Sequence, residues 1–147
     1  MIRKLLPLLI ILGAGCASKK EMTLSRDGEW TYFMRRNGCY GTCPIYEVEI
    51  DSDGSMRYVG ERFVDPLGNA TGSVSEADMD SLVMTLNALN YQALEDEYTC
   101  SASDLPITEF VLVKNGEKKK VIYRCEGPEE LPQLARLTDR ITRRNMD

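Results

Sequence analysis

Cys39 and Cys43 stand four positions apart in the run Asn37-Gly38-Cys39-Tyr40-Gly41-Thr42-Cys43-Pro44. A thiol pair at that spacing has three uses: closing a small structural ring, cycling between dithiol and disulfide, or holding a soft metal such as Cu(I) through thiolates. Gly38 and Gly41 give the backbone freedom to close a ring, and no thioredoxin-like βαβ pattern surrounds the pair. A structural bridge is the first expectation; thiol-redox or soft-metal work through Cys39 and Cys43 is the alternative. The chain has no histidine, which removes imidazole-dependent triads, His-bearing zinc sites and His general bases. Asp51, Asp53 and Ser55 imitate the start of a calcium loop, but Gly54 stands where a spacer is wanted and the twelfth position is Arg62 rather than Glu. The reading is of a domain without a catalytic residue, cofactor or metal site, leaning away from an enzyme. Tyr40, in its Gly-flanked loop, is the best candidate contact residue, with packing over its own disulfide as the competing reading. Asp104, ahead of Leu105-Pro106, is a second binding candidate, although Asp before a proline turn ordinarily satisfies nearby backbone N–H groups.

Cys100 and Cys125 flank a hairpin. The dipeptide Asn115-Gly116 is a strong type I′ turn signal, and with the turn there Cys125 falls opposite Pro106. A fold-back of Ser101 to Leu105 then brings Cys100 beside it. Pairings Cys39–Cys43 and Cys100–Cys125 are preferred, but four cysteines allow three connectivities.

The elements that must position these groups follow from hydrophobic period. Glu29 to Arg36 alternates, with Trp30, Tyr32 and Met34 on one side; Tyr46, Val48 and Ile50 alternate with Glu47 and Glu49. Asp51-Ser52-Asp53-Gly54 turns the chain into a return strand with Met56 and Tyr58, and Pro66-Leu67-Gly68-Asn69 reads as a second hairpin turn. Ser75 caps a helix carrying Met79, Leu82, Val83, Leu86 and Leu89 and ending near Asn90. Ile107 to Val113 and Lys118 to Cys125 pair about Asn115-Gly116. Pro128 opens a last helix with Leu131, Leu134, Leu137 and Ile141 facing inward. The expected fold is α+β: an antiparallel sheet built from hairpins with two helices packed on one face, in the order strands, helix, hairpin, helix.

The chain is 147 residues long, which suggests one domain. Residues 1–15 carry Arg3 and Lys4, an apolar run from Leu5 to Leu12, and Gly13-Ala14-Gly15, the three parts of a secretory signal. The run is shorter than the roughly 20 residues a spanning helix needs. The next residue is Cys16, and Leu12-Gly13-Ala14-Gly15-Cys16 resembles the lipobox of bacterial lipoprotein precursors, with the Leu one place further out than usual. That resemblance implies a lipid on Cys16, residues 16–28 as a lipidated Cys and flexible stalk, and 29–147 as the domain. The implied partner is a membrane, through the lipid, and the implied location is the cell envelope, on the outer membrane or periplasmic face if the source is Gram-negative. Removing the leader leaves 16 basic against 23 acidic residues, a net charge of −7. Such a balance disfavours nucleic acid; an envelope protein, peptide or glycan is the expected partner class.

The run Arg36 to Tyr46, followed by Asp53-Gly54 and Tyr58-x-Gly60, resembles an uncharacterised family of bacterial, often lipid-anchored proteins built around a domain of unknown function. Asp96-x-Tyr98-Thr99, Asp104-Leu105-Pro106 and Gly127-Pro128-x-x-Leu131 are similar to it as well. Gly-Cys-Tyr-Gly-x-Cys-Pro is the core of the match, which implies no activity or substrate. It places Cys100 and Cys125 outside the shared core, as an added staple.

Overall fold

A computed structural model describes residues 23–146. The leader, Cys16 and the first part of the expected stalk lie outside the described residues. The elements are β1 (Trp30–Arg36), β2 (Ile45–Asp51), β3 (Ser55–Arg62), β4 (Gly68–Ser73), α1 (Glu76–Ala88), a 3-10 turn (Tyr91–Ala93), β5 (Glu97–Tyr98), β6 (Thr108–Lys114), β7 (Glu117–Tyr123) and α2 (Glu130–Asn145). The seven strands form one sheet in the order β4-β3-β2-β1-β6-β7-β5.

That sheet is mixed, which corrects the expectation of a purely antiparallel one. Five neighbouring pairs are antiparallel, but β5 runs parallel to β7, with Glu97 beside Ile122 and Tyr98 beside Tyr123. The Ile122 N–H donates to the Asp96 carbonyl at 2.9 Å and the Arg124 N–H to that of Tyr98 at 2.8 Å. The pairing was invisible in the sequence because two residues cannot display a period of two. Its direction follows from the connection: α1 and the 3-10 turn return the chain so that it joins the edge of β7 before the β6–β7 hairpin has been made.

Alternation along each strand decides which face is buried. Tyr32 and Met34 lie opposite Ile50 and Val48 on β2 and opposite Leu112 and Phe110 on β6, and all six are 0 or 1 % exposed. This face meets Met79, Leu82 and Leu86 of α1 and Leu131, Leu134 and Ile141 of α2 in one core. The other face is a cross-strand charge ladder: Arg35 pairs with Glu47 and Glu61, Arg57 with Glu49 and Asp51, and Lys120 with Glu109. Such exposed pairs contribute little each, but they suit a solvated face.

The turn expected at Pro66-Leu67-Gly68-Asn69 lies earlier, since Gly68 and Asn69 already pair with Gly60 and Val59 as part of β4, whereas the β6–β7 turn stands where its residues put it. Asn115 and Gly116 both take positive φ, 52° and 78°, as a two-residue type I′ connection requires. Ser75 caps α1 through a hydrogen bond from the Asp78 N–H to its hydroxyl at 3.3 Å. Ser75→Ala is expected to cost about 1 kcal/mol, read as a lower urea midpoint at unchanged slope; an unchanged midpoint would deny the cap a role.

The last part of the expected stalk is tied down. Leu24 is 3 % exposed, its N–H donates to Asn87 Oδ1 at 2.7 Å and its carbonyl accepts from Asn87 Nδ2 at 3.0 Å. Trp30 Nε1 donates to the Ser25 carbonyl at 2.8 Å. Leu24 and Ser25, expected in the stalk, thus pack against the domain. Among the described residues no helix is long and apolar enough to cross a membrane.

Candidate functional site

The structure contains both preferred bridges, Cys39–Cys43 with Cα atoms 5.6 Å apart and Cys100–Cys125 at 5.9 Å. The small ring lies against the loop before β6, where the Tyr40 N–H donates to the Asp104 carbonyl at 3.4 Å. The two loops holding the candidate binding residues are thus neighbours. Tyr40 itself is 97 % exposed and does not lie over its disulfide, because a tyrosine in so short a ring, with glycine one place on, has no apolar surface to reach. Asp104 is exposed too. Neither side chain lines the cavity that opens beside them.

A cavity opens beside them. Its volume is about 410 Å³, and Cys43, Pro44 and Pro106 from the two loops form part of its wall. Behind it lies a network that sequence reading missed. Arg36 ends β1 in the position that continues Trp30, Tyr32 and Met34, so it points to the core face. Tyr46 and Thr108 are its register neighbours on β2 and β6, and Asp139 comes down from α2. Arg36 grips Asp139 with both arms, Nη2 to Oδ2 at 2.5 Å and Nε to Oδ1 at 3.3 Å, and its Nη1 donates to Thr108 Oγ1 at 3.0 Å. The Tyr46 hydroxyl donates to the same Asp139 Oδ1. One layer deeper, Tyr32 and Thr138 share a hydrogen bond of 2.9 Å. The available signal was an Arg at a core-parity position closing an apolar strand, together with Thr138 and Thr142 on the inward face of α2.

The electrostatics of these groups are set by burial and by the one carboxylate. Burial raises the Tyr46 pKa, and the charge of Asp139 raises it further. Burial alone would lower the Arg36 pKa, but the hydrogen bond and charge of Asp139 outweigh it and hold the guanidinium above its ordinary value. The phenol stays protonated and the guanidinium charged at any ordinary pH. They act as fixed donors, not as bases.

The front of the cavity is more open. Tyr58 on β3 stacks on Tyr46 with ring centroids 5.4 Å apart and an interplanar angle of 34°. It is 4 % exposed, and its hydroxyl makes no hydrogen bond to another described residue. Burial, followed by the nearby Asp65 charge, raises its pKa. Phe63, Val64 and Asp65 follow on the β3–β4 connection, while Arg143 and Met146 come from the end of α2. The connection folds tightly back on β3: a Cβ on Gly60 would lie 2.2 Å from the Pro66 carbonyl oxygen, so only glycine permits that approach.

Tyr32, Tyr46 and Tyr91 all have pKa values raised by burial. Above about pH 10 the unfolded chain loses phenolic protons that the folded chain keeps, so stability is full below that pH and falls as pH rises through the folded values. Alkaline titration is expected to give phenolate absorbance for these tyrosines only together with loss of near-UV circular dichroism. Their ionisation within an intact fold would refute the burial.

Residues described as catalytic are absent from the expectations, and the geometry supplies a preformed cleft with fixed donors, two facing aromatics and charges at its edge. No curated protein matches the chain. Residues 21–142 match the family described as Domain of unknown function (DUF6438), most of the chain, and the chain belongs to that family.

Proposed function

We propose that this chain is a lipid-anchored cell-envelope binding module, tethered through Cys16, whose ligand enters the cleft between the Cys39–Cys43 ring, the β3–β4 connection and the end of α2. One observation carries the site: the Arg36–Asp139–Tyr46 network fixes the rear wall on two strands and a helix, rigid elements rather than loops. Rigid placement of polar groups beside an apolar floor lowers the cost of ordering a ligand. The cleft volume of about 410 Å³ lies within the range of small-molecule sites. The Cys39–Cys43 bridge is then a wall, holding Pro44 at the mouth. The leader and Cys16 support the tether, and the anchored end leaves the cleft facing molecules of the envelope: peptides, glycans and their fragments.

The site is tested by ligand-observed NMR with a panel of short peptides and small saccharides against the mature domain. Pro44 is exposed at the mouth, so Pro44→Trp should narrow the entrance without unfolding the domain. Binders are expected to lose their signal with Pro44→Trp and to keep it with Tyr40→Ala. The opposite pattern would move the site to the tip of the disulfide ring. Intact mass of the protein from membranes, before and after reduction, tests the tether: acyl mass on Cys16 is expected, and an unmodified Cys16 would remove it.

A further inference from the structure

The cleft is lined by two acidic and two basic side chains, Asp65, Asp139, Arg36 and Arg143, and they are not equivalent. Asp139 and Arg36 satisfy each other. Arg143, in the last turn of α2, has no carboxylate within ion-pair distance among the described residues, although its neighbour Arg144 reaches Asp78 at 3.6 Å. Asp65, on the β3–β4 connection, has no basic partner among the described residues either. Among the described residues, then, one unpaired cation and one unpaired anion border the same apolar cavity, supplied by two different elements. A third group is unspent. Tyr58 lines the cavity with a hydroxyl that bonds to no other described residue and is open to the cavity rather than sealed in the core.

Resting on the cleft reading above, we infer that the ligand is a zwitterion with an apolar body, a free amino acid or a short peptide. Its carboxylate meets Arg143, its ammonium meets Asp65, Tyr58 donates to one of its oxygens, and its side chain covers Phe63, Val64 and Met146. A purely anionic ligand would leave Asp65 facing like charge, and a purely cationic one would do the same to Arg143. A saccharide would leave both charges unanswered. A zwitterion satisfies both, and charge-assisted hydrogen bonds are the strong ones. The volume suits one or two residues, not a long chain.

The test is titration of the mature domain, followed by amide and methyl chemical shifts, with phenylalanine, phenylalanyl-leucine, N-acetylphenylalanine and phenylalaninamide. The zwitterions are expected to shift signals of Tyr58, Val64 and Met146, and blocking either end should weaken binding about tenfold or more. Arg143→Gln should abolish the difference between phenylalanine and its amide, and Asp65→Asn the difference between phenylalanine and its N-acetyl form. Both side chains are exposed, so neither change threatens the fold. Stronger binding by phenylalanyl-leucine would identify a peptide as the ligand; stronger binding by phenylalanine, a free amino acid. If blocked and unblocked compounds bind alike at the cleft, or only saccharides do, the zwitterion is wrong and the cleft stands. Shifts confined to another surface would overturn both.

Discussion

Serine at both Cys100 and Cys125 is expected to cost about 3.5 kcal/mol, against about 2 kcal/mol for serine at Cys39 and Cys43. The difference comes from loop length. The first bridge joins residues 25 apart in sequence and the second residues 4 apart, and a longer loop restricts the unfolded chain more. The longer bridge also has a local task. Cys100 comes two residues after β5 and Cys125 two after β7, so it clamps the parallel edge pair, which has only two residues on the β5 side. The Ile122 and Arg124 amides that bond to β5 should therefore exchange faster in the serine variant even under conditions where the rest of the sheet is protected. Urea unfolding and hydrogen exchange check the two claims. Equal losses for the two pairs, or uniform loss of protection across the sheet, would contradict them.

Asp139→Ala is expected to lower stability by about 3 kcal/mol. The substitution leaves the Arg36 guanidinium, 20 % exposed, without its anion, and leaves the buried Tyr46 hydroxyl without its acceptor. Uncompensated partners, rather than the worth of the pair itself, dominate that cost. The double variant Arg36→Met with Asp139→Leu should accordingly be less destabilised than the sum of the two single variants, by about 2 kcal/mol. Additive losses would mean that the two side chains do not depend on each other. The same cycle bears on the cleft, because Asp139→Ala should also loosen its rear wall and weaken any ligand seated there.

The parts of this architecture written in local signals were legible. Asn115-Gly116 placed the β6–β7 turn, and the register it imposed carried Cys125 opposite Pro106, from which the pairing with Cys100 followed. Ser75 marked the start of α1. The missed parts depend on contacts distant in sequence. Arg36 and Asp139 are 103 residues apart, and nothing near either names the other. Leu24 looked like part of a polar stalk because its partner, Asn87, lies on α1. β5 is too short to have a pattern, and without it the sheet reads as purely antiparallel. The cleft itself is bounded by the ends of β1 and β2, β3 and its connection to β4, the ring, the loop before β6 and α2, segments that meet only after the sheet has formed. Tyr46 and Tyr58, which line it, read in sequence simply as strand positions of the core.

A crystal structure of the domain, soaked with the tightest binder from the peptide and saccharide panel, tests the central claim most directly. The account predicts ligand density in the cleft against Tyr58 and Val64, within hydrogen-bond reach of Arg143 or Asp65, with the Arg36–Asp139 pair unmoved behind it. Density on the tip of the ring around Tyr40, or across the charged face of the sheet with the cleft empty, would contradict it.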